Sequence, residues 1–425
     1  MLQKTTSNPI LRISPNNIWR RHHNNILILE HSSKKIIVLN EEISKMVDKY
    51  GYIDSSIENF YDLTEFLSSN IFDFIKQKNI NKNIKERFGP LNVTIRITRQ
   101  CNLSCNHCHN DYRGAMQLSL KQFKKVIDSL RKLSVFNINI SGGEPILHSE
   151  LVSMVKYVSD KGMKVTLSTN AISLTNELVK KLKISGLSNI QISLDSSIEK
   201  EHDKIRGKQG AFKETLKNIN YLKQHSIDFM FVTTLISQSI DDYISIIDLS
   251  YELGASSHKT NTVIAQGVAK AQRSTTNIHY LDKYIDTWNK KRLEYKGKFK
   301  VLAETMFKLQ FNPEYIYNIA EKGFISDGCP AGILTCSIKE DGDVIPCSFF
   351  PDYILGNIIN EKFEEIWFTN EKLNKLIERD KFIECGTCNY VNHCGGCRAR
   401  AFSETNNIQG FDSNCGKQSN IKVLL

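Results

Sequence analysis

The sequence predicts an α/β protein. Its centre reads as a partial barrel of six parallel βα units, preceded by a small strand-and-helix module and followed by a cysteine-rich unit. Three observations carry this reading. From Val93 onward, β-branched strand patterns alternate with amphipathic helices. No cysteine precedes Cys101, three fall at 101–108 and eight at 329–415. The first eighty or so residues carry short strands and polar turns of their own. Boundaries are therefore expected at 1–85, 86–310 and 311–425, and 425 residues suffice for two or three domains.

In the first segment, Asn17–His31 and Ser33–Asn40 read as short strands joined by turns, with Ile36, Ile37 and Val38 as a buried run. Asn40 is an expected N-cap for a helix to Tyr50, with Ile43, Met46 and Val47 on one face. Leu63 to Lys78 carries a further helical pattern through Leu67, Ile71, Phe72 and Ile75. Strands and helices in this order fit a winged-helix-like module.

The central segment alternates strictly. Strands are expected at 93–98, 137–141, 164–169, 189–194, 228–235 and near 259–264. Helices are expected at 119–133, 150–161, 176–185, 211–224 and 241–253. Repeated βα units give a parallel sheet with right-handed crossovers. Six units cannot close as eight do, so an open side is expected, wide enough for a large substrate. Chemistry in such folds sits on loops at the strands' C-terminal ends.

Composition excludes several classes. No apolar run approaches the roughly 20 residues of a membrane helix, and Met1-Leu-Gln-Lys-Thr-Thr lacks a secretory core. A cytoplasmic protein without a membrane partner is expected. The formal charge of +10 comes from lysines spread over helix faces, and no recognition helix or RNA-binding signature accompanies it, so no nucleic-acid partner is expected. In a reducing compartment, clustered C-x2-C spacings point to metal rather than disulfides.

The chemistry begins at Cys101-Asn-Leu-Ser-Cys105-Asn-His-Cys108. Three thiolates on one loop make a metal site with no fourth protein ligand. In an iron–sulfur cluster that leaves one iron open to an outside molecule. A strand later comes Ser141-Gly-Gly-Glu-Pro145, whose glycines allow close backbone approach to a ligand. Together these motifs resemble the radical S-adenosylmethionine (SAM) enzymes. The resemblance implies a 4Fe–4S cluster on Cys101, Cys105 and Cys108 that binds SAM. It also implies SAM contacts from Gly142, Gly143, Glu144 and Pro145, and from Ser168 and Asn170 beside Thr169 at the third strand's end.

Ile192-Ser-Leu-Asp195 and Glu201-His-Asp-Lys-Ile-Arg-Gly207 resemble the SPASM branch of that family. There Ser193 and Asp195 lie beside the cofactor, and Arg206 is the candidate for the SAM carboxylate, which a guanidinium fork matches. The plainer alternative is an i,i+3 pair between Asp203 and Arg206. Val268 stands where relatives carry a basic residue, and His107 where many carry an aromatic one. His107 reads as packing over the cluster rather than as a ligand.

Cys329, Cys336, Cys347, Cys385, Cys388, Cys394, Cys397 and Cys415 equal the ligand count of two four-cysteine clusters. Taken alone, their C-x2-C pairs favour zinc. With the upstream motif they resemble a SPASM domain holding two auxiliary 4Fe–4S clusters, three clusters in all. That resemblance assigns Cys329, Cys336, Cys347 and Cys397 to one, and Cys385, Cys388, Cys394 and Cys415 to the other. The last gap of the run is two residues, Gly395-Gly396, against the usual three. Lys339–Ile345 reads as a hairpin with an Asp-Gly turn.

The three segments together resemble maturases of ribosomally made peptides. The implied activity is reductive SAM cleavage, hydrogen-atom abstraction and a thioether from cysteine sulfur to an α-carbon, as in sactipeptides. Radical C–C or C–O crosslinking of a peptide, or anaerobic sulfatase-type maturation, are the alternatives. The implied partners are a precursor peptide, its leader added as a strand to the N-terminal module, and an electron donor such as flavodoxin or ferredoxin.

Overall fold

The computed structural model describes residues 9–13, 18–22, 25–29, 36–39, 52–54, 72–76, 89–110, 114–272, 281–303, 329–388, 391 and 394–415. Among them, the N-terminal segment holds six strands: β1 (Pro9–Ile13), β2 (Ile18–His22), β3 (Asn25–Leu29), β4 (Ile36–Leu39), β5 (Tyr52–Asp54) and β6 (Phe72–Lys76). They form two antiparallel three-stranded sheets, ordered β5-β1-β6 and β2-β3-β4. Ile26, Ile28 and Leu39 are buried. The structure corrects one expectation here. Phe72-Asp-Phe-Ile-Lys76 is a strand paired antiparallel with β1, not the end of a helix. Its aromatic and β-branched residues suit a sheet partner that sequence periodicity cannot see. The helix expected at 40–50 and residues 63–71 lie outside the described residues.

Seven parallel strands follow: β7 (Asn92–Arg96), β8 (Asn137–Ser141), β9 (Lys164–Thr169), β10 (Asn189–Ser193), β11 (Phe229–Leu235), β12 (Ser257–Thr262) and β13 (Lys300–Ala303). The last of these extends the expected six. β14 (Thr335–Ile338), from the cysteine-rich segment, pairs parallel with β7 on the other side. β15 (Asp343–Ile345) and β16 (Gly356–Asn357) continue antiparallel. The ten-stranded sheet runs from β13 to β16, and those two edges do not pair, so the barrel is open. The hairpin expected at 339–345 is present as the β14–β15 turn, with Gly342 at φ +89°.

Helices cover the outer face. They are α1 (Leu120–Lys132), α2 (Leu151–Asp160), α3 (Asn176–Ile184), α4 (Glu199–Arg206), α5 (Ala211–Gln224), α6 (Ile240–Glu252), α7 (Gly267–Ala271) and α8 (Leu281–Glu294). The cysteine-rich segment adds α9 (Phe363–Phe368), α10 (Glu371–Ile377) and α11 (Arg398–Thr405).

α1 shows how the sequence builds each unit. Ser119 caps its start, accepting from the Gln122 N–H at 3.3 Å, and the Gln122 side chain accepts from the Ser119 N–H at 3.2 Å. Arg131 and Lys132 close the last turn, where the helix dipole favours cations. Phe123, Val126, Ile127 and Leu130 bury one face against the core that includes Val93, Ile95 and Ile138. Each such side chain contributes about 1.5–3 kcal/mol. Alternate residues face inward, and there the sheet is polar: Ser168 and Thr166 both donate to Asn139 Oδ1, at 3.0 and 3.1 Å.

Candidate active site

The Cys101–Cys108 loop leaves β7 at the C-terminal end of the sheet and is clamped from three sides. In each case a glycine permits the contact. Gly143 N–H donates to Thr98 O and Glu144 N–H to Gln100 O, both at 2.7 Å. A side chain on Gly142 would meet Thr98 O at 2.8 Å, and one on Gly143 would collide with the Arg99 and Gln100 carbonyls. Behind the loop, Ser104 and Asn106 N–H groups donate to Arg206 O and Ile205 O at the end of α4. Gly207 turns the chain away at φ +66°, and a Cβ there would lie 2.5 Å from Ser104 O. On the third side, Ala269 N–H donates to Cys108 O at 2.9 Å. A Cβ on Gly267, at φ +54°, would lie 2.6 Å from His109 O.

The sulfurs of Cys101, Cys105 and Cys108 share one neighbourhood. Cys101 is pushed up to about 12 by burial, against its hydrogen bond from Leu103, with the charges of Glu144, Cys105 and Cys108 adding to the rise. Burial also raises Cys105, while the Arg206 charge works the other way. Three crowded thiols in a low-dielectric loop suit a cationic centre that takes up their charge on deprotonation. Among the described residues no group of three His, Cys, Asp or Glu side chains is placed to hold a single metal ion. The chemistry of the donor set, three cysteine thiols on one loop, fits an iron–sulfur cluster.

Asp195 and Arg206 meet beside the loop. Arg206 Nη2 lies 2.7 Å from Asp195 Oδ2, with both side chains buried. Arg206 Nη1 also faces Cys105 Sγ at 3.8 Å. Burial works to raise Asp195, but Arg206, His107, His202 and the Thr234 N–H together outweigh it and hold the carboxyl below its ordinary range. The i,i+3 alternative is not formed: Asp203 instead accepts from Gly210 and Phe212 N–H at 2.6 and 2.9 Å, capping α5. His107 Nε2 stands 3.6 Å from Asp195 Oδ2. Burial lowers His107 to about 4, so the ring is neutral and this contact is dipolar rather than an ion pair.

The remaining sequence candidates divide. Glu144 is buried and faces protein: Thr169 Oγ1, Asn170 N–H and Ile146 N–H donate to it at 2.6, 2.8 and 3.1 Å. Burial raises it to about 7. Its side chain thus locks the Gly-Gly turn to the end of β9. Pro145 is buried and opens a single 3₁₀ turn. Asn170 donates to Asn102 Oδ1 at 2.7 Å, and Asn102 to Ser173 Oγ at 3.0 Å, tying the cysteine loop to the end of β9. Ser168 binds Asn139 inside the barrel, and Ser193 ends β10, half-buried. Sequence reasoning missed Asn102, Gly207 and Gly267; a glycine directly after a helix was the readable signal for Gly207.

The cysteine-rich segment is joined directly to this loop. Glu340, at the β14–β15 turn, is buried and accepts from Arg96 Nε at 3.0 Å and from Arg99. Arg96 also donates to Asn110 Oδ1, two residues past Cys108. The His109 and Phe349 rings stand 4.7 Å apart, so the residue after Cys108 touches the one two past Cys347.

Charge places seven of the eight later cysteines in two sets. Cys347 is raised by burial and by Cys329 and Cys397. Cys394 is pushed up to about 12 by burial, with Asp412, Cys385 and Cys415 adding. Cys385 likewise feels Cys415 and Cys388. Cys336 differs from the set that the resemblance gave it. It sits on β14 in register with Val93, among core residues, and is raised by burial alone. The two-residue gap of the run has a local cause: Gly395 and Gly396 are both left-handed, at φ +68° and +64°, and turn Cys397 back toward Cys329 and Cys347.

Family models match at two places. Residues 95–250 match the radical SAM superfamily, and residues 329–397 match the iron–sulfur cluster-binding domain called SPASM. The chain carries a radical SAM domain followed by a SPASM domain.

Radical SAM relatives span different shares of it. An AdoMet-dependent heme synthase of Methanosarcina barkeri is 28% identical over 75% of this chain and 93% of its own. The mycofactocin maturase MftC of Mycolicibacterium smegmatis is 27% identical over 77% and 83%. In structure, SuiB of Streptococcus suis bound to its precursor peptide SuiA matches 96% of this chain and 100% of its own, with a TM-score of 0.74 and 17% identity. The radical SAM and SPASM domains imply 4Fe–4S clusters and SAM as cofactors. Among the described residues no helix is long and apolar enough to cross a membrane.

Proposed function

We propose that this enzyme matures a ribosomally made precursor peptide and installs a thioether between a cysteine sulfur and an α-carbon. The observation that carries the peptide reading is the extent of the SuiB likeness. It spans both chains almost whole, and the maturase MftC is similar in sequence over 77% of this chain. Uncharged hydrogen-bonding side chains on the inner barrel face, Asn139, Ser168, Gln191 and Ser193, also suit peptide amides.

In this reading Cys101, Cys105 and Cys108 hold a 4Fe–4S cluster, and the later cysteines hold auxiliary clusters. SAM bound there would supply radical hydrogen-atom abstraction on one-electron reduction. The chain's own residues position and enclose. Gly142, Gly143, Gly207 and Gly267 let three elements close on the cysteine loop. Arg206, fixed by Asp195, holds positive charge beside Cys105. Residues 1–85 bind the leader as an added strand on one of the small sheets. The enzyme works in the cytoplasm and draws its electron from a flavodoxin or ferredoxin.

A second reading, porphyrin modification, is favoured by the identity to the heme synthase. Anaerobic incubation of the reconstituted enzyme with SAM and a reductant separates the two. A cysteine-containing precursor peptide should lose two hydrogens, and fragmentation should place a sulfur-to-α-carbon bond. A two-hydrogen loss mapped to a carbon–carbon or carbon–oxygen bond would replace the thioether. An unchanged peptide beside a converted iron porphyrin would reject peptide maturation.

A further inference from the structure

Arg398 is buried, with 2% of its surface exposed, directly after Cys397. Part of its guanidinium is accounted for. Nη1 donates to Ile408 O at 3.1 Å and Gly410 O at 2.8 Å, and its central carbon lies 4.3 Å from the centre of the Phe382 ring. Nε and Nη2 are also buried, yet neither has a hydrogen-bond partner among the described residues. A cation with two orphaned donors is costly in a low-dielectric interior unless an anion completes it.

The surroundings say which anion. The Arg398 backbone N–H donates to Cys329 of one cysteine set. The Phe382 ring beneath the guanidinium lies three residues before Cys385 of the other. Gly396 leaves room for this guanidinium, since a Cβ there would lie 2.5 Å from Arg398 Nη2. By contrast, Arg400 next door is neutralised by Asp412 at 3.0 Å.

We infer that Arg398 is the shared cationic partner of the two auxiliary cluster sites, its Nε and Nη2 donating to cluster or thiolate sulfur between Cys329 and Cys385. This rests on the reading of the later cysteines as cluster ligands, but not on the thioether. A cation and donors beside an anionic cluster stabilise the reduced form and raise its potential.

The test is a redox titration of the full-length, anaerobically reconstituted protein without substrate, followed by electron paramagnetic resonance. Arg398→Lys keeps the charge and loses the fork; Arg398→Gln loses both. The auxiliary signals should move to lower potential in Arg398→Lys and further in Arg398→Gln. The signal of the Cys101–Cys108 cluster, whose own guanidinium is Arg206, should stay in place as the reference. Auxiliary potentials in Arg398→Gln equal to wild type overturn the assignment. If Arg398→Gln fails to retain iron, unchanged potentials in Arg398→Lys overturn it. Wild-type protein without auxiliary signals would overturn both this inference and the cluster reading beneath it. A failed peptide reaction would count against the thioether alone, since the titration uses no substrate.

Discussion

Arg206 Nη2 lies 2.7 Å from Asp195 Oδ2, and the same guanidinium reaches Cys105 Sγ at 3.8 Å. A buried carboxylate thus fixes a buried cation against the cysteine loop. Removing one member of such a pair costs about 3–5 kcal/mol, because the other charge stays buried alone. Asp195→Asn should lower the thermal unfolding midpoint and the iron retained at the loop. Asp195 sits below the ordinary carboxylate range, so its contribution is present at neutral pH and lost as pH falls through its folded value. The wild-type advantage over Asp195→Asn should therefore vanish in strong acid.

Replacing Cys101, Cys105 and Cys108 together by Ala should abolish 5′-deoxyadenosine formation. With the proposed auxiliary clusters on the later cysteines, iron content should fall by about four from about twelve. Continued SAM cleavage would remove the loop from its assigned role.

The glycine clamp has an internal control. Gly207 and Gly210 both have positive φ, but a Cβ would meet neighbouring backbone only at Gly207, whereas at Gly210 it would meet open space. Alanine costs about 1 kcal/mol at either site for the left-handed backbone. Gly207→Ala should in addition displace Ser104 and reduce iron at the cysteine loop, measured by iron analysis and spectroscopy. Equal iron loss in Gly210→Ala would show that the contact with Ser104 is immaterial.

His258 is fully buried beside Thr233, its Nε2 2.9 Å from Thr233 Oγ1, and burial lowers it to about 3. Below about 6.5 the unfolded chain protonates this ring and the folded chain does not. Stability should therefore fall as pH drops from 7 toward 5, at up to about 1.4 kcal/mol per unit from this residue. His258→Asn, which keeps a hydrogen-bonding group, should flatten that slope in denaturant titrations. A parallel slope in the variant would exclude His258 as its source.

Residues 1–85 contribute no strand to the ten-stranded sheet among the described residues. Their deletion should weaken precursor-peptide binding, read by fluorescence anisotropy, while peptide-free SAM cleavage continues. Unchanged affinity would place recognition elsewhere.

The Cys101–Cys108 spacing, the Gly-Gly turn, the βα alternation and the two cysteine fields were legible in the chain itself. Each is a local pattern, set by loop length, side-chain period or ligand spacing within a few residues. That locality also explains the misreading of Phe72–Lys76, whose strand state depends on β1, some sixty residues away in sequence. Only tertiary structure decided the rest. Arg96 meets Glu340 across 244 positions, and Arg206 meets Cys105 across 101. It also set Cys336 into the core and turned Glu144 toward the protein. These pairings follow from which strand ends come together and which charges burial forces to find partners, and no spacing in a single sequence encodes that.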